Sequence, residues 1–86
     1  MAYVYILKSL KNGKFYIGST LNIEERVKKH NNGYVYYTKR NLPFELVFKQ
    51  EYPSLAIARK IEYRLKRFKR RDFIEKIIQE GRIRIT

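Results

Sequence analysis

An α+β fold, with a three-stranded antiparallel sheet flanked by helices in the order β-β-α-β-α-α, is predicted by three features of this 86-residue chain. Two β-rich runs flank Lys11-Asn12-Gly13-Lys14, and Asn-Gly between such runs is a strong hairpin signal. A short alternating run after Pro43 supplies one returning strand. Two later stretches repeat apolar residues at three- and four-residue spacing, as helices do. A hairpin with one added strand is not stable alone, so helices must cover its apolar face.

Each element has its own reason. Ala2 to Lys8 is the first strand, with Tyr3 and Tyr5 on one face and Val4 and Ile6 on the other. Lys14 to Ser19 is the second. Asn22 can cap a helix from Ile23, with Glu25 completing a capping-box-like pattern. That helix ends near Asn32, where Gly33 suits the left-handed position. Tyr34 to Leu42 lacks periodicity and reads as a loop. Phe44 to Phe48 alternates as a third strand. Ser54 caps a second helix whose Ala58, Ile61, Leu65 and Phe68 share a stripe. Asp72 with Glu75 resembles another capping box, opening a short helix that buries Phe73, Ile74, Ile77 and Ile78 and ends at Gly81.

Length and composition bound the rest. The chain is one domain over 1–86, with a modest core. Twenty Lys and Arg against eight Asp and Glu leave a net charge of +12. Such an excess points to a polyanion, most often nucleic acid, because each neutralised phosphate releases counterions. An anionic membrane surface is the alternative. No apolar run approaches the roughly 20 residues of a spanning helix, and the N-terminus lacks a signal-peptide h-region. With no cysteine, disulfides and thiolate metal sites are excluded, which fits the cytoplasm. No repeat, low-complexity tract or linker divides the chain.

The chemistry is best sought where polar residues interrupt apolar faces. On the first helix Ile23 and Val27 define the buried stripe, and Arg26 and His30 flank it. Arg26 can snorkel or pair with a carboxylate; it can also aim its planar donor fork at a phosphate. His30 can be a packed histidine or a titratable neighbour of a phosphate site. Glu62, at the margin of the second helix's stripe, can bridge to Arg59, Lys60 or Lys66. It can equally hold Mg²⁺, which takes one or two carboxylates, several waters and substrate phosphate. Tyr5 and Tyr16 fit sheet packing as well as catalysis. No single position decides.

Together they do. Tyr3-Val4-Tyr5, Tyr16-Ile17-Gly18, then Arg26 and His30 on one helix and Glu62 on a later one, resemble a GIY-YIG nuclease domain. His30, Asn31 and Gly33 fit the H-N-x-G ending of small members, and Thr38 matches a threonine frequent in the next loop. The resemblance runs from Tyr3 to about Ile78. It looks closest to small single-domain bacterial members and is similar to the N-terminal incision domain of the excinuclease C subunit. There are departures. Tyr3 replaces the first motif's Gly, Ser19 stands where some members carry Lys, and no asparagine follows Asn41, where some members place one after the helical Glu.

The resemblance implies an endonuclease that hydrolyses phosphodiesters with one Mg²⁺ or Mn²⁺. Tyr5 would relay or accept the proton of an attacking water, with His30 taking its proton and nearby cations stabilising the phenolate. Tyr16 would hydrogen-bond the phosphate or the water. Arg26 would stabilise charge on the phosphorane, and Glu62 would hold the metal. These five residues would share one concave, solvent-reachable patch beside the hairpin.

Arg67, Lys69, Arg70 and Arg71 crowd the end of the second helix, and Lys39 and Arg40 lie in a loop with Tyr34, Tyr36 and Tyr37. With Thr38 these supply nucleic-acid contacts of low sequence specificity. Branched, flapped or single-stranded DNA are the expected substrates, with RNA open, and DNA repair or recombination the expected setting. A nucleic-acid-binding module that kept the fold without cleavage is the second reading.

Overall fold

The Asn-Gly signal marks the turn from which the fold is built. The structure, a computed structural model, describes residues 1–35, 38–68 and 70–83; Tyr36, Tyr37 and Lys69, singled out above, lie outside the described residues. Strand β1, Ala2–Ser9, turns through Gly13 at φ 75° into β2, Phe15–Thr20. Only a residue tolerant of positive φ fits there without strain. The Ser9 hydroxyl accepts from the amides of Lys11 (3.1 Å) and Asn12 (3.3 Å) and donates to the Asn41 carbonyl at 2.6 Å. The hairpin loop is thereby tied to the loop before the third strand.

Helix α1, Ile23–Asn31, starts as expected: the Asn22 side chain accepts from the Glu25 amide at 3.1 Å. It ends in a Schellman pair, Gly33 N–H to the His30 carbonyl and Tyr34 N–H to the Lys29 carbonyl, with Gly33 at φ 78°. The loop that follows contains a 3₁₀ turn at Lys39–Asn41. Strand β3, Phe44–Tyr52, runs four residues beyond the expected end. Helices α2, Leu55–Phe68, and α3, Arg71–Glu80, complete the observed β-β-α-β-α-α order.

All pairing is antiparallel, with strand order β2-β1-β3. The central strand therefore presents one side chain after another to two separate cores. Val4 and Ile6 join Phe48, Ala58, Ile61, Leu65, Ile74 and Ile77 beneath α2 and α3. Tyr5 and Leu7 join Ile23 and Phe44 beneath α1. The β1–β3 register shifts between Ile6 and Leu7, pairing Ile6 with Phe48 but Leu7 with Leu46. Val47 is thus a bulge, which turns Phe48 toward the first core while Phe44 and Leu46 face the second. Each fully buried Val, Ile or Leu stabilises the fold by roughly 1.5–3 kcal/mol relative to exposure.

One local expectation is corrected. Asp72 does not cap α3: the N-cap is Arg70, whose side chain makes no capping hydrogen bond. Asp72 sits one residue inside the helix and pairs with the Arg70 guanidinium at 2.9 Å, while Glu75 pairs with Arg71 at 2.8 Å. Neighbouring arginines hold both carboxylates.

Candidate active site

The site forms at β2, one of the two edge strands of the sheet, because that strand touches both helical layers. Tyr16 and Gly18 point toward α1; Ile17 and Ser19 point toward α2. Tyr5 lies opposite Gly18 in the β1–β2 ladder. A Cβ on residue 18 would overlap the Tyr5 hydroxyl and stand 2.5 Å from its Cζ. The phenol therefore occupies the space that any other residue at 18 would need.

From there a buried hydrogen-bonded chain runs inward. Tyr5 Oη lies 3.0 Å from His30 Nε2, and His30 Nδ1 lies 2.9 Å from Thr38 Oγ1. The Thr38 hydroxyl donates to the Val35 carbonyl at 3.3 Å. Its oxygen is then an acceptor for His30, which places the imidazole proton on Nδ1. His30 Nε2 is left to accept the Tyr5 proton. Tyr5, His30 and Thr38 are at most 1% exposed. Burial, then the Arg26 charge, lowers the His30 pKa to about 4, so the ring is neutral at pH 7. Burial likewise raises Tyr5 to about 12, against the lowering effect of its Arg26 hydrogen bond. Nearby cations thus do not win: desolvation keeps the phenol protonated, contrary to the sequence expectation.

A second, accessible layer covers this chain. Arg26 Nε donates to Tyr5 Oη at 3.3 Å while its guanidinium stays part-exposed. The Tyr16 ring meets His30 edge-on, with centroids 4.9 Å apart, and Tyr5 at 6.5 Å. From α2 the Glu62 carboxylate reaches β2, accepting from the Ser19 hydroxyl at 2.5 Å and from Lys66 Nζ at 2.7 Å. Lys66 Nζ stands 5.7 Å from the Tyr16 ring centroid, so it joins the carboxylate to the tyrosine. Tyr5, Tyr16, Arg26, His30 and Glu62 are brought to one strand edge. They form two layers rather than one open patch, with Tyr5 and His30 sealed below.

The model of the GIY-YIG catalytic domain matches residues 1–76. The chain belongs to the GIY-YIG family. It is 41% identical over 80 residues to a UPF0213 protein of Staphylococcus saprophyticus, covering 92% of this chain and 95% of that one. A UPF0213 protein of Clostridium perfringens is 38% identical over 78 residues, covering 90% and 83%. The solution NMR structure of a UPF0213 protein from Bacillus halodurans superposes with a TM-score of 0.56 at 37% identity, covering 94% of this chain and 87% of that one. Nucleases of the GIY-YIG family generally use a divalent metal.

The residues present fit such an ion. Glu62 and Ser19 offer hard oxygen donors side by side. No cluster of three or more metal-ligating side chains exists among the described residues, so an ion that requires a full protein cage does not fit. Mg²⁺ or Mn²⁺, which keeps waters and takes substrate oxygens, does. Lys66 shares the carboxylate, as one of the sequence alternatives anticipated.

Two expected nucleic-acid contacts change place. Thr38 is buried, and its hydroxyl holds His30, so it cannot meet a solvent-borne strand. Arg71 is committed elsewhere: it donates to Glu75, donates to the Gly13 carbonyl at 3.0 Å, and stacks 4.7 Å from the Phe15 ring. It staples α3 to the hairpin turn. Arg70 is held by Asp72, and the Arg67 guanidinium lies 5.9 Å from the Tyr63 ring. Lys39 and Arg40 are exposed on the 3₁₀ turn.

Sequence reasoning missed the steric part of Gly18, the serine on Glu62, and the hold of Asn31 on β3. Asn31 accepts from the Phe44 amide at 2.8 Å and donates to its carbonyl at 3.2 Å, stitching α1 to β3. The hairpin register alone puts position 18 opposite Tyr5; the other two contacts have no local signal.

Proposed function

We propose that this GIY-YIG protein is a divalent-metal-dependent endonuclease of low sequence specificity acting on DNA, with flapped, branched or single-stranded forms as substrates. The observation that supports it is the continuous chain from Thr38 through His30 and Tyr5 to Arg26, with the Tyr16 ring between it and the Lys66–Glu62 pair. A hydrogen-bonded phenol with a neutral imidazole behind it can move a proton without ever becoming a free phenolate.

In the proposed reaction the part-exposed Arg26 side chain admits the attacking water to the buried Tyr5 Oη, and the water gives its proton to Tyr5 as the phenol's own proton passes to His30 Nε2. The water oxygen forms a bond to phosphorus, the bond to the leaving oxygen breaks, and solvent protonates that oxygen. Arg26 offers the guanidinium donors not used by Tyr5 to the non-bridging oxygens, where negative charge builds. Tyr16 orients the phosphate. A divalent ion held by Glu62 and the Ser19 hydroxyl would supply Lewis-acid charge to the phosphate. Lys39, Arg40 and Arg67 add exposed positive charge to the surface. A service in DNA repair or recombination, and a cytoplasmic location, complete the reading. No described helix is long and apolar enough to cross a membrane.

The test is a panel of labelled flapped, branched, single-stranded and paired DNA, with RNA counterparts, incubated with and without Mg²⁺ or Mn²⁺. Metal-dependent cleavage that disappears in Glu62→Ala is the expected outcome. One observation favours the non-catalytic module: Glu62 already has a cation and a hydroxyl as partners. Folded wild-type protein that binds DNA yet cuts nothing in the panel would establish that module instead.

A further inference from the structure

An open groove of about 400 Å³ lies between α1 and α2, next to Arg26. Arg26 and Lys29 line it from α1, Leu55 and Arg59 from α2, with Ser19, Thr20 and Leu21 between them. Among the described residues the only carboxylate lining it is Glu25, which already lies 3.6 Å from Lys29. The groove is therefore net positive.

Its charge differs in kind from that of the arginine run at the α2–α3 corner. There Lys66, Arg70 and Arg71 face Glu62, Asp72 and Glu75. Arg26 and Arg59 pair with no carboxylate among the described residues, and Arg59 is exposed. An anion gains most where positive charge has not been neutralised internally. The groove also has an apolar side: Leu21 is 61% exposed at its rim, and Leu55 is half-buried in its wall.

We propose that this groove seats one unpaired nucleotide flanking the scissile phosphate. Arg59 holds its phosphate, and Leu21 with Leu55 covers the sugar or base. Its volume lies within the range of small-ligand sites and it is walled by a helix on each side, so a base would have to leave its pairing partner to enter. The entering strand is single, which is the chemistry of a flap or a loop. The proposal rests on the nuclease reading of the adjoining strand edge, since Arg26 belongs to both.

The test measures binding without cleavage. Glu62→Ala protein in EDTA is titrated with a fluorescent single-stranded oligonucleotide and with the paired duplex of the same sequence. Arg59→Ala, Leu21→Asp and, as a charge-matched control, Lys76→Ala are added on that background. All three positions are exposed, and circular dichroism verifies that each variant is folded. Arg59→Ala should weaken single-strand binding by about tenfold at low salt, as loss of one charged contact does. It should also flatten the log–log salt slope by about 0.7. Leu21→Asp should weaken the single strand more than the duplex, and backbone amide NMR shifts on titration should centre on residues 19–22 and 29. Lys76→Ala should change neither affinity nor slope. Single-strand binding with an unchanged slope in Arg59→Ala, or equal losses for both nucleic acids in Leu21→Asp, would overturn the groove. Absence of binding to either nucleic acid would instead overturn the nuclease reading beneath it.

Discussion

Tyr5 and Gly18 face each other across the β1–β2 ladder, and the phenol fills the volume that a side chain at 18 would take. Gly18→Ala must therefore push the Tyr5 ring out of line with His30 and Arg26. Overpacking of this kind costs ~1–3 kcal/mol, so thermal unfolding should drop and cleavage should fall with it. Tyr5→Phe added to Gly18→Ala should restore only part of the stability, because ring carbon Cζ, at 2.5 Å from the new Cβ, clashes as well. Full stability in Gly18→Ala alone would contradict this packing.

Thr38 should act through His30 rather than through a strand of DNA. Thr38→Val keeps the shape but leaves the buried Nδ1–H without an acceptor, a loss of ~1–3 kcal/mol. Cleavage should fall while oligonucleotide affinity stays constant, and Thr38→Ser should recover both stability and rate. A Thr38→Val protein that loses affinity instead would return Thr38 to the nucleic-acid contacts.

The low pKa of His30 has a definite sign. Unfolded, its imidazole titrates near 6.5; folded, near 4. Between these values the unfolded chain binds more protons, so stability is full above about pH 6.5 and is lost as pH falls toward 4. The loss approaches roughly 3 kcal/mol once the pH has fallen below 4. Urea midpoints at pH 7 and pH 4.5 should therefore differ in the wild type and converge in His30→Gln. Equal acid sensitivity in both proteins would place the titrating group elsewhere.

Glu62→Ala and Arg26→Ala should separate on binding. Removing a carboxylate from a positive edge leaves DNA affinity equal or tighter, whereas removing Arg26 weakens it modestly. Both should abolish or strongly suppress cleavage, Arg26→Ala by about 3 kcal/mol of transition-state stabilisation. Anisotropy titrations in EDTA, run beside the cleavage assay, read the two signs. Full-rate cleavage by Glu62→Ala would refute the proposed mechanism.

Much of this was legible in the residues because the signals are local. Asn12-Gly13 sets the hairpin and its register, Asn22 sets the start of α1, and strand alternation puts Tyr5 on the α1 side. The H-N-x-G ending closes α1 by a Schellman pair that involves only neighbours. What the residues alone did not reveal depends on distant partners. The bulge at Val47 is set by two cores competing for one strand. The Asp72 cap gives way to nearby arginines, and the burial that lifts Tyr5 and lowers His30 comes from Phe44 and the α1–β3 stitch. Charge along the chain was also a poor guide to charge available at the surface, since Arg70 and Arg71 point at acids that sequence spacing had assigned to a helix cap.

The sheet divides the molecule into two cores, and β2 is the seam at which their two sets of functional groups meet. Tyr5, His30 and Arg26 take their positions from the core under α1; Glu62 and Lys66 take theirs from the core under α2. Damage to this protein should accordingly come in two distinguishable kinds. A cavity beneath α1 would misplace the proton chain and leave the carboxylate where it is. A cavity beneath α2 would shift the carboxylate and leave the proton chain intact, so that one half of the machine can fail while the other still holds its shape.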